Sequence, residues 1–342
     1  VTEQKEKVVV KDITEKRKAL DEAIKAAEKK HGKGIVQRLG GGPIPDIPVI
    51  TSGITSLDIA LGVFGIPRGR IIEIFGTEAG GKSTLSLQIA AEVQKAGGNV
   101  LFIDAEHALD LKLARGIGVD TNTMLLTQPE YGEQALQLAE DMISSASLDL
   151  VIIDSTAALT PLKEIEGEMG DATMAAQARL MSQAMRKLTG VVSKTKTILI
   201  FINQIRKKVG VMFGSNETTS GGEALKFYSS IRLDTRRVEA IKEGKDVIGV
   251  RSRIKVVKNK VAPPFRETIV DIVFGKGVSK EVDLLNTAVN YEIVRKDGRT
   301  FSFEQTKLGE EAKALELLTK DPVLFNAVRE AIISKVKSDS RV

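Results

Sequence analysis

Residues 71 to 85 read IIEIFGTEAGGKSTL. Ile72 and Ile74 alternate with Ile71 and Phe75 on the opposite face, which predicts a strand, and the strand runs into Gly76. Gly76 opens a G-x-x-x-x-G-K-[ST] pattern that closes on Gly81, Lys82 and Ser83, with Thr77, Glu78, Ala79 and Gly80 inside it and Thr84 after it. Glycines here let successive backbone N–H groups turn inward around a polyphosphate, and a following helix begins with its positive end at the same place. Lys82 is placed to reach the β- and γ-phosphates, and the Ser83 hydroxyl to bind Mg²⁺. A glycine-rich turn often matches the bare pattern by chance. A strand before it and a helix after it decide for a phosphate-binding loop.

Outward from this loop, strands alternate with helices. Ser83 to Ala96 reads as a helix with Leu85, Ile89 and Val93 spaced by four, and Gly97 and Gly98 stop it. Val100 to Asp104 (VLFID) reads as a strand, Glu133 to Ser144 as a helix, and Leu148 to Asp154 and Thr197 to Ile202 as further strands. Apolar strands separated by helices predict an α/β fold with a mostly parallel, twisted sheet covered on both faces. Ligands in such sheets sit at the carboxyl ends of the strands. Lys82, Ser83, Glu106, Asp154 and Gln204 each follow a predicted strand end and so converge on one edge. Asp154 suits the carboxylate of a Mg²⁺ shell, and Glu106 suits a base that orients water for attack on a γ-phosphate.

Composition limits the alternatives. The 342 residues are long for one domain, 42% are hydrophobic, and the net charge of +5 permits nucleic acid as a partner without requiring it. There is no cysteine, which excludes disulfides, thiol catalysis and cysteine-ligated metals, and His31 and His107 are too few for a histidine metal cluster. The longest uncharged apolar run, Ile198 to Ile202, is strand-sized, so a soluble, cytoplasmic protein with no membrane partner is expected. With no tryptophan and 4% aromatics, stacking platforms are not expected to carry single-strand binding.

The flanks read differently. Residues 12 to 31 predict a helix with a narrow stripe of Leu20, Ala23, Ile24 and Ala27, and the Gly/Pro-rich linker Gly40 to Pro48 lets it reach its own domain or a neighbouring subunit. Leu162 to Ala175 and Gln204 to Lys226 read as irregular loops, the second a candidate sensor arm. Between them a helix carries Arg179 and Arg186, candidate phosphate contacts. Lys258 and Lys260 end a basic strand and are candidates for a neighbour's phosphates. The expected organisation is residues 1–48 as N-terminal docking helix and linker, 49–278 as nucleotide-binding core, and 279–342 as a small α+β domain.

Taken together, GTEAGGKST (76–84), FIDAEHALD (102–110), VIIDSTAALTP (151–161), FINQIR (201–206), ALKFYSSIRLD (224–234) and KVVKNKVAPPF (255–265) resemble the bacterial RecA family of recombinases. The match is dense from about Gly32 to Gly277. The resemblance implies ATP and Mg²⁺ as cofactors, single-stranded DNA and homologous duplex as partners, and a helical homo-oligomer. It implies DNA-dependent ATP hydrolysis coupled to homologous pairing and strand exchange in recombination and repair, with promotion of self-cleavage of a LexA-type repressor in the SOS response. Glu106 then activates water and Gln204 senses the γ-phosphate. Lys258 and Lys260 reach the neighbour's ATP, Asp110 and Leu113 lie on the adenine side, and Lys226 and Phe227 sit at the subunit contact. Met174, Arg179 and Arg186 fall in a first DNA loop and Val209 to Gly222 in a second, with Lys207, Lys208 and Gly210 at its start and Gly221 and Gly222 at its end. Met174 and Val209 are the expected wedges between bases. Arg236, Arg237, Arg253 and Lys255 form the expected duplex-binding face.

The sequence departs from the family pattern in places. Leu113 stands where tyrosine is usual, Lys207 where an apolar residue is usual, the hairpin RTFSF lacks the usual tryptophan, and SKVKSDSRV takes the place of an acidic tail, so altered nucleotide affinity and relaxed restraint on duplex binding are expected. A ring-forming P-loop DNA helicase or a specialised recombinase paralogue shares the nucleotide motifs. The KVVKNK lysines and the long Gly/Thr loop favour the recombinase. A small-molecule kinase would want an arginine-bearing lid, and a non-catalytic filament protein would not keep Lys82, Glu106 and Asp154.

Overall fold

The structure, a computed structural model, describes residues 2–36, 47–168, 175–207 and 217–339. The chain divides into two units, Val1–Asp46 and Ile47–Val342. The first unit holds one helix, α1 (Thr2–His31), ten residues longer at its start than the sequence pattern predicts. No glycine or proline interrupts residues 2–31, so nothing in the backbone stops the helix earlier. Gly32 ends it at φ +103°, its N–H on the Glu28 carbonyl. Leu20 of the expected stripe is 52% exposed within this unit.

The second unit opens with β1 (Val49–Ile50), α2 (Thr55–Ala60) and β2 (Ile66–Pro67), and continues with β3 (Ile71–Gly76), α3 (Lys82–Lys95), β4 (Val100–Asp104) and α4 (Leu111–Ile117). Next come β5 (Leu125–Thr127), α5 (Gly132–Ser144), β6 (Leu150–Asp154), α6 (Leu162–Ile165) and α7 (Ala176–Thr195). The chain goes on through β7 (Ile198–Lys207), β8 (Glu217–Thr219), α8 (Ala224–Tyr228), β9 (Ile231–Glu243), β10 (Asp246–Asn259), β11 (Glu267–Val273) and β12 (Gly277–Val278). The main sheet runs β12-β11-β10-β9-β3-β7-β6-β4-β5, parallel from β9 to β5 and antiparallel from β9 to β12.

Alternation within the strands sorts the core onto two faces. Ile72, Ile74, Phe102, Ile152 and Ile200 pack with Leu85, Ile89 and Val93 of α3, whereas Ile71, Ile103, Ile153, Leu199 and Phe201 pack with α5 and α7. Every residue of β3 and β4 is buried, the burial expected of parallel strands covered on both sides. Two expectations are corrected. The strand after Thr197 does not stop at Ile202: Ile205, Arg206 and Lys207 continue it by pairing with Thr219, Thr218 and Glu217 of β8. The segments read as irregular also contain α6, β8 and the start of α8. The β9–β10 hairpin is long, and only Ile231–Thr235 of β9 borders β3. Three register shifts along β10 mark bulges that twist it.

Residues 280–339 form α9 (Lys280–Asn290), the meander β13 (Val294–Asp297), β14 (Thr300–Phe303) and β15 (Thr306–Glu310), α10 (Glu311–Lys320) and α11 (Pro322–Asp339). Their cluster, with Leu284, Phe301, Leu318, Val328 and Ile332, takes in Ile59 from α2. Buried polar groups add to this joint. Asp283 accepts from the Ser56 hydroxyl and N–H, and Arg329 donates to Asp58, which is 1% exposed. Burial pushes the Asp283 carboxyl up to about 6, against the hydrogen bonds from Ser56.

A carboxyl whose pKa is raised by folding contributes stability that is fully present below about pH 4 and lost as pH rises through about 6, a difference of at most about 3 kcal/mol. Asp283→Asn carries no charge to bury. Thermal denaturation at pH 4.5 and 7 is expected to show the wild type losing stability relative to Asp283→Asn as pH rises.

Candidate nucleotide site

The register of the sheet brings the strand ends level. Gly76 at the end of β3 lies opposite Gln204 of β7, and Asp104 at the end of β4 lies opposite Asp154 at the end of β6. Gly76 is required by space: a Cβ there would lie 1.9 Å from the Thr235 carbonyl oxygen. The loop it opens leads into α3 at Lys82, so the first N–H groups of that helix face the loop's concavity. Lys82 Nζ donates to the Thr77 and Gly76 carbonyls at 2.8 and 3.3 Å. Burial lowers its pKa, and Asp154, Glu106 and Glu78 oppose that shift.

The Ser83 hydroxyl donates to Asp154 Oδ2 at 2.7 Å. Burial first, and then Glu106 and Asp104, push the Asp154 carboxyl up to about 6, while Ser83 and Lys82 pull the other way. A hydroxyl and a carboxylate side by side, with excess negative charge around them, fit a hard divalent cation. No group of three or more acidic, histidine or cysteine side chains arranged for a metal occurs among the described residues. Mg²⁺ needs none, because phosphate oxygens and water fill most of its shell.

Beside this pair, the Asp154 carbonyl accepts the N–H groups of Ala105 and Glu106 at 2.7 and 3.2 Å, which fixes the turn after β4. Glu106 Oε1 then accepts from both the Ser155 hydroxyl and, at 3.0 Å, Gln204 Nε2. The buried Asp104 carboxylate takes the Ala108 and Leu109 N–H groups and Gln128 Nε2, anchoring the rest of that loop. Thus Lys82, Ser83, Glu106, Asp154 and Gln204 meet as expected. Sequence reading missed Ser155, 1% exposed, since a serine after a strand carries no pattern. It also missed Gln177, whose Nε2 lies within hydrogen-bonding distance of the Thr156, Ala157 and Leu159 carbonyls and so ties the start of α7 to the segment after β6.

The other expected residues are spread more widely. Asp110 caps α4, accepting from the Lys112 and Leu113 N–H groups, and Leu113 packs on the core. Lys258 Nζ donates to the Lys226 and Phe227 carbonyls and Lys260 Nζ to the Phe227 carbonyl, while the Phe227 ring is 69% exposed. Lys226 Nζ binds Glu223 and Thr218. Arg179 and Arg186 are exposed on α7. Gly222, at φ +78°, packs the return of the second loop onto α7, where a Cβ would meet that of Ala178 at 2.8 Å. Lys207 is the last residue of β7. Met174, Lys208, Val209 and Gly210 lie outside the described residues.

The expected duplex face is not one row of free cations. Arg236, Arg253 and Lys255 share a side of the sheet, and Arg237, next to Arg236 in the strand, alternates to the other. Arg236 is neutralised by Asp234 and Glu217, and Lys255 lies 3.9 Å from Glu267. Arg253 keeps a buried Nε with no partner among the described residues.

A phosphate-binding loop between the third strand and its helix, with carboxylates at two neighbouring strand tips, defines a P-loop nucleotide triphosphatase core. The family model described as the RecA N-terminal domain matches residues 18–279. Curated proteins named Protein RecA are similar over nearly the whole chain. That of Syntrophus aciditrophicus is 55% identical, covering 93% of this chain and 93% of its own length. Those of Geobacter sulfurreducens and Citrifermentans bemidjiense are 54% and 53% identical, covering 92% and 93% of this chain and 94% of each relative. The chain belongs to the RecA family, whose members act in DNA recombination and repair and are DNA-dependent ATPases.

Ser155→Ala removes one of the hydrogen bonds that aim Glu106 and leaves Lys82 and Ser83 in place. A charge-assisted bond of this kind is worth enough to lower kcat for DNA-stimulated ATP hydrolysis by about tenfold, with KM for ATP within about twofold. Steady-state kinetics check both numbers.

Proposed function

We propose that the chain is an ATP-gated recombinase that assembles as a helical filament on single-stranded DNA, pairs it with a homologous duplex and exchanges strands. The observation that carries this reading is the unbroken run Ser83–Asp154–Ser155–Glu106–Gln204, in which the last residue lies in the strand that continues into β8 and the second loop. The loop's N–H groups and Lys82 hold the β- and γ-phosphates. Ser83 and Asp154 are the ligands for Mg²⁺, which when bound neutralises charge on the phosphate oxygens. Glu106, aimed by Ser155, takes the proton of the attacking water. Gln204 exchanges its bond to Glu106 for one to the γ-phosphate, and β7 passes that choice to β8 and the second loop.

Lys258 and Lys260 supply cations to the ATP of the adjacent subunit, next to an exposed Phe227 suited to the same contact. Both features support filament growth that depends on ATP. Arg179, Arg186 and the second loop hold the first strand mainly through its backbone, so base pairing does the reading. Arg253 and Lys255 attract the incoming duplex, with Arg236, on the same side of the sheet, available to it once Glu217 and Asp234 let go. Cytoplasmic action and stimulation of a LexA-type repressor's self-cleavage complete the reading; no helix among the described residues is long and apolar enough to cross a membrane.

Joint-molecule formation between a single strand and a homologous duplex tests the proposal. The wild type with ATP and Mg²⁺ is expected to form product, and Lys82→Ala is expected to form none. Hydrolysis stimulated by DNA without any product would assign the chain instead to a specialised relative whose filament does not exchange strands.

A further inference from the structure

Glu73 lies in the middle of β3, three residues before the phosphate loop, and is 0% exposed. A carboxylate there requires donors, and it has two. Arg232 Nε donates to Oε2 at 2.5 Å, and Asn203 Nδ2 donates to Oε1 at 2.9 Å. Both partners lead to functional groups. Arg232 is the direct cross-strand neighbour of Glu73 on one side and of Lys258 on the other. Glu73, Arg232 and Lys258 therefore form a lateral row across β3, β9 and β10 on one face of the sheet. The Arg232 guanidinium also lies 4.4 Å over the Phe75 ring, which holds it in that row.

On the other side, Asn203 is 0% exposed and stands immediately before Gln204. Its Nδ2 also donates to the Ser220 carbonyl at 3.0 Å, at the returning end of the second loop, and its Oδ1 accepts the Gln204 N–H at 2.9 Å. Asn203 thus fixes both the sensor and the loop, and Glu73 fixes Asn203. A buried carboxylate cannot be left without its cation, so Glu73 and Arg232 must shift together or stay together.

We propose that Glu73 is a positioning residue that ties the lysine pair at the subunit face to Gln204 and the second loop, so that ATP held between subunits and DNA held by the loop are set together. The row Lys258–Arg232–Glu73–Asn203 is the physical connection. It rests on the reading of the chain as an ATP-gated DNA-binding filament. The Lys258 ammonium is destabilised by burial, Lys260 and Arg232, so a neighbour's phosphates would relieve it, and Arg232, its cross-strand partner, is relieved with it.

The test is the affinity of the full chain for a fluorescently labelled single strand, read by anisotropy with a slowly hydrolysed ATP analogue and with ADP. The wild type is expected to bind about tenfold or more tightly in the ATP-analogue state. Glu73→Gln keeps the shape, removes the charge and offers one acceptor oxygen where two donors meet, so the melting temperature with nucleotide absent is expected to fall, and the ratio, measured well below it, is expected to drop to about threefold or less. Should Glu73→Gln fail to fold, the double variant E73M/R232M, which removes both charges, is expected to show the same loss. A variant that folds and keeps the wild-type ratio overturns the proposal, as does failure of both to fold, which would make Glu73 purely structural. A wild type with no nucleotide dependence sinks the functional reading as well, so the two failures are distinguishable.

Discussion

Asp154 joins the two halves of the nucleotide site. Its side chain takes the Ser83 hydroxyl from the helix after the phosphate loop, and its backbone carbonyl takes the N–H groups of Ala105 and Glu106 from the neighbouring strand's turn. One residue at one strand end thereby sets where the phosphate-binding loop's helix begins and where Glu106 stands. This arrangement works because β6 is buried between β7 and β4 and its register with both is fixed. Burial, and after it the surrounding acids, make the carboxylate reluctant to ionise, and a divalent cation would relieve that reluctance.

The same economy governs the cations. Arg232 and Arg236, on the inner strands of the antiparallel half, are committed to carboxylates, and Arg251 is committed to Asp271 and Glu239. Arg179, Arg186 and Lys260 stand exposed. A net charge of +5 therefore understates the local contrast between neutralised sheet and charged helix faces.

Much of this was legible in the residues. The alternation of Ile71, Ile72, Ile74 and Phe75 assigned each side chain to the face it occupies, and the strand-end rule brought Lys82, Glu106, Asp154 and Gln204 together. The C-terminal hairpin was visible in Lys296, Asp297 and Gly298. β15 was not, because Leu308 is the only buried apolar side chain in it. β8 was hidden for a different reason: Glu217, Thr218 and Thr219 pair through the backbone with the end of β7, and backbone pairing leaves no mark in hydrophobicity. Glu73 passed unnoticed within IIEIF since a period-two reading expects an apolar residue there. Its charge makes sense only with Arg232 and Asn203, which lie 159 and 130 positions away.

The long β9–β10 hairpin has one more consequence. Beyond Thr235, β9 has no partner on its β3 side among the described residues, so Arg236 to Glu243 present an open strand edge. An open edge invites a second sheet to add to it. Here Arg236, Arg237, Glu239, Lys242 and Glu243 line that edge, and the bulges opposite keep the ribbon from lying flat. In the proposed filament, where copies of the chain meet at high local concentration, these charges and bulges guard the hairpin against fusing edge to edge into the wrong polymer.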